Sequence, residues 1–146
     1  MPNIVGRDIV GAIQRSQSNQ VNTYTATAPG TAVDLINNSE PVVALVVAVN
    51  AISGTTPTLD VTVEESDDGS TGWVAVPAVA LIDPDTGDAT TFTQVTTVDS
   101  FQVLALRRQK VTRFVRVVFT LAGTSPVYYA VSLVEGAKLS PNTGTV

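Results

Sequence analysis

Residues 58–64 read TLDVTVE, and their alternation decides the fold class. Leu59, Val61 and Val63 fall on one side of an extended chain while Thr58, Asp60, Thr62 and Glu64 fall on the other. That period of two belongs to a strand with one buried and one wetted face. Residues 113–121 repeat the pattern, with Val115, Val117, Phe119 and Leu121 opposite Phe114, Arg116, Val118 and Thr120. There the second face is itself partly apolar and needs a cover. In 127–134 the same reading turns Val127, Tyr129, Val131 and Leu133 inward. Val42 to Ala51 is apolar on both faces, which in an antiparallel architecture requires a central position under a covering segment or contact with another chain.

Turn signals punctuate the chain between such segments: APG at 28–30, NNSEP at 37–41, SGTTP at 53–57, SDDGSTG at 66–72, DPDTGD at 83–88 and AGTSP at 122–126. The expected strands are 21–27, 32–36, 42–51, 59–65, 73–81, 90–96, 100–107 and 114–122, with a ninth at 127–134. Short strands with regular punctuation indicate an all-β sandwich or barrel. The reading is a jelly-roll-like antiparallel β-sandwich of about eight strands with an extended N-terminal arm. An immunoglobulin-like sandwich fits nearly as well, without the cysteine pair of antibody domains. The expected division is an arm over 1–20, the sandwich over 21–136 and a polar tail over 137–146.

Composition agrees. In 146 residues the hydrophobic share is 44% and the charged share 14%, enough apolar surface to offset the entropy of folding as one domain. Val and Thr dominate, and stiff β-branched side chains fit a pleated sheet better than a helix.

The same composition removes function classes. Without cysteine there is no disulfide framework, thiolate metal site or thiol nucleophile. Without histidine the commonest general base and metal ligand are missing, so a non-enzyme without cofactor is expected. No GxSxG or SxxK nucleophile motif and no phosphate-binding glycine loop is present. The start, MPNIVGRDIVGAIQRSQ, lacks the basic-then-apolar order of a secretory signal, so the mature chain is expected to begin there. No apolar run approaches the ~20 residues of a membrane helix. A net charge of −5 and a pI near 4.4 oppose non-specific nucleic-acid binding.

Three local groups invite chemistry. In DPDTGD, Asp83, Asp85 and Asp88 could be oxygen ligands for Ca²⁺, but the EF-hand pattern is missing and a Pro/Gly/Asp turn explains the residues. Asp60, Glu64, Glu65, Asp67 and Asp68 could be imagined as the source of a glycosidase carboxylate pair, although Asp60 and Glu64 share the wetted face of their strand, where charge blocks edge-to-edge aggregation. Trp73 could stack on a sugar, or pack the end of the core, which this aromatic-poor chain favours.

Two further groups point to partners. The first twenty residues carry Ile4, Val5, Ile9, Val10 and Ile13 among Arg7, Asp8 and Arg15 and end in polar SQSNQ. Such an arm needs an apolar surface to lie on, and a neighbouring subunit would supply one. Arg107, Arg108, Lys110, Arg113 and Arg116 are five of the eight cations, gathered within ten residues. Three readings compete: a solvated turn, a docking patch for an acidic protein surface, and a nucleic-acid contact that the overall acidity opposes. The acidic 60–68 segment of the next copy is one candidate partner for the patch.

The segment LDVTVEESDDGSTGWVAVP resembles the strand, SDDG turn, Trp, strand element of discoidin-like sandwiches and many tailed-phage virion proteins. TSPVYYAVSLVEG after the basic RRQKVTRFVRVVFTLAG strand pair is similar to the C-terminal halves of small phage structural proteins, most of all capsid decoration (cement) proteins. Together they cover about half of the chain; the first 50 residues match no family. The resemblance implies a jelly-roll-like sandwich, a homotrimer made in the host cytoplasm and set on the outside of the virion head. Its partners would be the major capsid protein and itself, with no nucleic acid, membrane or cofactor involved. A tail or baseplate component, or a carbohydrate-binding sandwich, is the competing expectation.

Overall fold

The computed structural model describes residues 13–36, 38, 41–96 and 100–137. Eight strands form one antiparallel sheet: β1 (Ile13–Tyr24), β2 (Ala28–Pro29), β3 (Val33–Asp34), β4 (Val42–Ser66), β5 (Val74–Ala75), β6 (Leu81–Ile82), β7 (Ser100–Arg107) and β8 (Phe114–Ala137). The main path runs β1-β8-β4-β7-β6, with β2 and β3 on β8 and β5 on β4. The fold is all-β as read, but the strands belong to one continuous sheet curled into a half-barrel rather than to two separate sheets.

Its spine is the ladder between β4 and β8, which runs from Ala44 opposite Glu135 to Ser66 opposite Phe114. Each of these strands joins two of the expected ones. The SGTTP and AGTSP segments, expected to be connecting turns, lie inside the ladder, where Ser53 pairs with Val127 and Thr58 with Ala122. Gly54 and Gly123 adopt φ of 119° and 111°, and Thr56 and Ser125 adopt 46° and 51°. The two Gly-Thr-Thr/Ser-Pro stretches therefore repeat one conformation and face each other across a local two-fold relation. A Cβ built on Gly54 would stand 2.9 Å from the Ser125 carbonyl oxygen, and one on Gly123 would stand 2.8 Å from that of Thr56. Only glycine fits either place.

The crossing shifts the pleat. Ile52 and Tyr128 pack inward on one side of it, Leu59 and Leu121 on the other, so inward positions change from even to odd along β4 and from odd to even along β8. A second irregularity between Val49 and Ala51 returns β4 to odd positions, giving buried Val43, Leu45, Val47 and Val49. In β8 the change persists. Tyr128, Ala130, Ser132 and Val134 are buried, and Tyr129 is exposed, which inverts the expected face of 127–134 because one parity cannot be carried through an irregular crossing. The expected faces of 58–64 and 113–121 hold: Leu59, Val61, Val63, Val115, Val117 and Phe119 are core.

Other boundaries move too. Residues 13–20, expected in the arm, begin edge strand β1, and Ala137, expected in the tail, ends β8. The polar SQSNQ stretch is a clasp. Buried Ser18 accepts a hydrogen bond at Oγ from the Val117 amide (2.7 Å), and the Asn19 amide donates to Ser132 Oγ (2.9 Å). Ser132 Oγ in turn donates to Asn19 Oδ1 (2.8 Å), and Asn19 Nδ2 reaches the Ala28 carbonyl (3.2 Å). These bonds attach β1 to both halves of β8 and satisfy polar groups that burial would otherwise penalise. Of the expected 73–81 strand only β5, the start of β6 and a 3₁₀ turn at Ala78–Ala80 remain, because Pro77 carries no amide hydrogen to extend a ladder. Residues 90–96 contribute a single bridge, Leu59 to Val95.

Gly54→Ala and Gly123→Ala are each expected to destabilise the protein by about 1–3 kcal/mol, from the strained φ and the carbonyl clash. Urea unfolding followed by circular dichroism measures this; wild-type midpoints would refute the tight crossing.

Candidate interaction surface

The curled sheet has two unlike outer faces. Over the half made by the end of β4 and the start of β8, the outward residues include Asp60, Thr62, Glu64, Arg116 and Thr120, a polar surface. Over the other half, outward residues line up in apolar rows across β7, β4 and β8. One row is Phe101, Ala48 and Val131; the next is Val103, Val46 and Leu133. Phe101 is 69% exposed and Val103 36%, with Tyr129 beside them at 39%, while Val46, Ala48, Val131 and Leu133 are half-buried. The two-faced apolarity of 42–51 is thus real: one side is core and the other borders the largest exposed hydrophobics. Phe101 and Val103 were not read from the sequence as surface residues. Their signal was present, since 100–107 (SFQVLALR) is apolar at both parities, with Leu104 and Leu106 inside.

Where the half-barrel closes, the basic run is distributed by the backbone. Arg113 binds Asp34 through two parallel hydrogen bonds, Nε to Oδ1 at 2.9 Å and a terminal nitrogen to Oδ2 at 2.7 Å. This guanidinium holds the Asp34 carboxyl below the ordinary carboxylate value, against some desolvation. Arg108 donates to the carbonyls of Leu35, Val111 and Thr112 at 3.3–3.4 Å. Arg107 donates to those of Val79 and Gly87. Arg116 lies opposite Glu64 in the ladder, binds it at 2.7 Å and covers the Trp73 ring at 4.2 Å from its centroid. The acidic strand thus meets its arginine within one chain, where a neighbouring copy had been the candidate. Lys110 is exposed and makes no hydrogen bond or ion pair among the described residues.

Around these cations stand exposed aliphatics. Val42 pairs with Arg107, the Arg108 amide binds the Pro41 carbonyl, and Ile36 follows Leu35, so Val42, Ile36 and Val79 all open beside Arg107, Arg108 and Lys110. The first and last described residues lie here as well. In the ladder Ala44 faces Glu135 and Glu135 faces Arg15; one step further Ile13 pairs with Ala137, level with Val42 and Arg107. Of the residues expected at an interface, Ile13, Arg15, Arg107, Arg108, Lys110 and Arg113 gather at this end. Arg116 lies on the polar face, and Ile4, Val5, Arg7, Ile9 and Val10 lie outside the described residues.

The acidic turns are built by their own backbones. Asp83 Oδ1 accepts from the amides of Asp85 and Thr86, and the Asp83 amide binds the Asp88 carbonyl, the self-capping expected of a Pro/Asp/Gly turn. In the SDDG turn, Asp68 Oδ1 accepts from the Ser70 and Thr71 amides at 2.8 Å each, and Oδ2 accepts from the Thr71 hydroxyl at 2.7 Å. These donors push its carboxyl far below the usual range. Among the described residues no helix is long and apolar enough to cross a membrane. No family model matches the chain, and none of the curated proteins compared with it is a detectable relative.

Because the folded-state value of Asp68 is depressed, its stabilising contribution is present above the unfolded value of about 4 and lost as pH falls through the folded one. Asp68→Ala is therefore expected to lower the melting temperature at pH 6, with the gap to wild type narrowing on acidification below about pH 4; a pH-independent gap would contradict the assignment. Arg116→Ala uncovers the indole, and Trp73 emission is expected to move to longer wavelength. An unchanged spectrum would show that the ring is not covered in solution.

Proposed function

We propose that this chain is a non-enzymatic capsid decoration, or cement, subunit of a tailed bacteriophage. In this reading copies made in the host cytoplasm associate as trimers, bind the outside of the virion head and hold major capsid subunits together by protein contacts. The observation that carries it is the convergence at one end of the half-barrel of exposed Lys110, carbonyl-bound Arg107 and Arg108, exposed Ile36, Val42 and Val79, and the root of an aliphatic N-terminal segment.

Such a surface has the chemistry of a protein interface: aliphatic contact supplies affinity, and arginine supplies orientation and planar pairing with carboxylates. Modest contacts suffice on a shell, because a subunit attached at several points gains effective concentration for each further one. The expected jelly-roll arrangement belongs to the same reading, since the bent ladder lays two strand groups over one core. The competing sugar-binding reading loses support, because a face of Trp73 that a sugar would stack on is covered by Arg116.

Purified protein mixed with expanded phage heads is expected to sediment with them. The double variant Arg107→Glu, Lys110→Glu should weaken that binding about tenfold or more, and added salt should weaken the wild type. Absence of co-sedimentation, or binding indifferent to both changes, would overturn the proposal.

A further inference from the structure

The outer apolar rows of β7, β4 and β8 lie away from the cationic end, and docking through that end leaves them uncovered. They measure about three strands by two side-chain rows, roughly 14 by 14 Å, or about 200 Å². A stable face-to-face association of two folded subunits buries about 800 Å² on each. The patch is therefore too small for a globular partner alone and suits an extended segment lying across the strands.

The chain contains one such segment. Residues 1–12 precede β1 and carry Ile4, Val5, Ile9 and Val10 within an otherwise small and polar stretch. Fully extended, twelve residues reach about 40 Å. At Ile13 the chain is still paired, in edge strand β1, with Ala137, the last residue of β8. The row Val103–Val46–Leu133 lies behind that point, level with Gln17. To cover its own patch the segment would have to reverse at once and cross back over β1. A second copy placed beyond the end of this sheet can receive it without such a reversal.

From this length, direction and area we infer that the apolar outer face formed by Val46, Ala48, Phe101, Val103, Val131 and Leu133 receives residues 1–12 of a second copy of this chain. The exchange is head-to-tail, since arm and receiving face are different surfaces, and such a contact closes into a ring when its rotation permits. It deepens the trimer element of the proposed function and names the residues that build it. Each subunit gives one arm and takes one, so the apolar area of both is covered without a large globular interface.

The chain has no cysteine, so introduced thiols are unambiguous. Full-length Ile9→Cys carrying a size tag, mixed with untagged full-length Phe101→Cys and treated with a short bismaleimide, is expected to give a heterodimer of the two lengths. The double variant should give interchain products. Only intrachain product, or none, would overturn the exchange. In a second measurement Phe101→Asp, at a position exposed enough to spare the fold, is expected to reduce the light-scattering mass of the full chain from oligomer to monomer with an unchanged circular dichroism spectrum. A retained oligomer would equally refute the inference. Neither readout involves heads: exchange without head binding would sink decoration alone, and head binding by a protein giving only intrachain product would sink the exchange alone.

Discussion

The structure depends on a crossing of two short backbone motifs. At 54–57 and 123–126 a glycine at φ above 110° is followed two residues later by a Thr or Ser also at positive φ, and each glycine lies against the other motif's carbonyls. A ladder of this length would otherwise twist steadily as a ribbon with one apolar face and no partner for it. Irregularities increase twist and bend a strand locally. Here they face each other on adjacent strands, so the ladder bends as a unit, and residues far apart along it, such as Val47 and Val61, share one core.

The bend explains the remaining architecture. The connection from Arg107 to Phe114 is only six residues because the curl brings the two ends of the ladder together. Within it the Thr112 amide binds buried Glu65 at 2.6 Å, and Arg108 and Arg113 fasten it to the segment around β3. Ser18 and Asn19 hold the opposite edge, touching Val117 in one half of β8 and Ser132 in the other. Much of the basic run is thus an internal fastening. Its salt bridges are partly exposed and each contributes modestly, while Arg107 and Arg108 donate to backbone carbonyls of other segments and tie those segments together.

The bend also determines what faces outward. One outer surface carries Glu64, Arg116 and Thr62, a charged and hydroxylated sheet that resists edge and face association. The other carries Phe101 and Val103 of β7 with Val46 and Ala48 of β4. A contiguous apolar surface of this kind is the usual mark of a binding site. Together with the cationic end it gives the molecule two separate outer surfaces of different chemistry.

The sequence by itself determined the fold class, the strand nature of nearly every core segment, and the two-faced apolarity of 42–51, because pleat alternation and β-branched composition are local properties. It also determined the turn character of DPDTGD and SDDG, which their own side chains build. The tertiary structure decided what local pattern cannot carry. GTTP and GTSP read as turns because glycine and proline usually break strands, yet each is held extended by the other, a partner some seventy residues away. Once that crossing exists, the parity of 127–134 inverts, and Tyr128 rather than Tyr129 enters the core. The arginines were legible as a cluster but not as partners, since only the curl brings Asp34, Leu35 and Val79 to them. Polar Ser18 and Asn19 look like surface residues by type; only the closing edge of the sheet, with its unmatched amides, makes them buried.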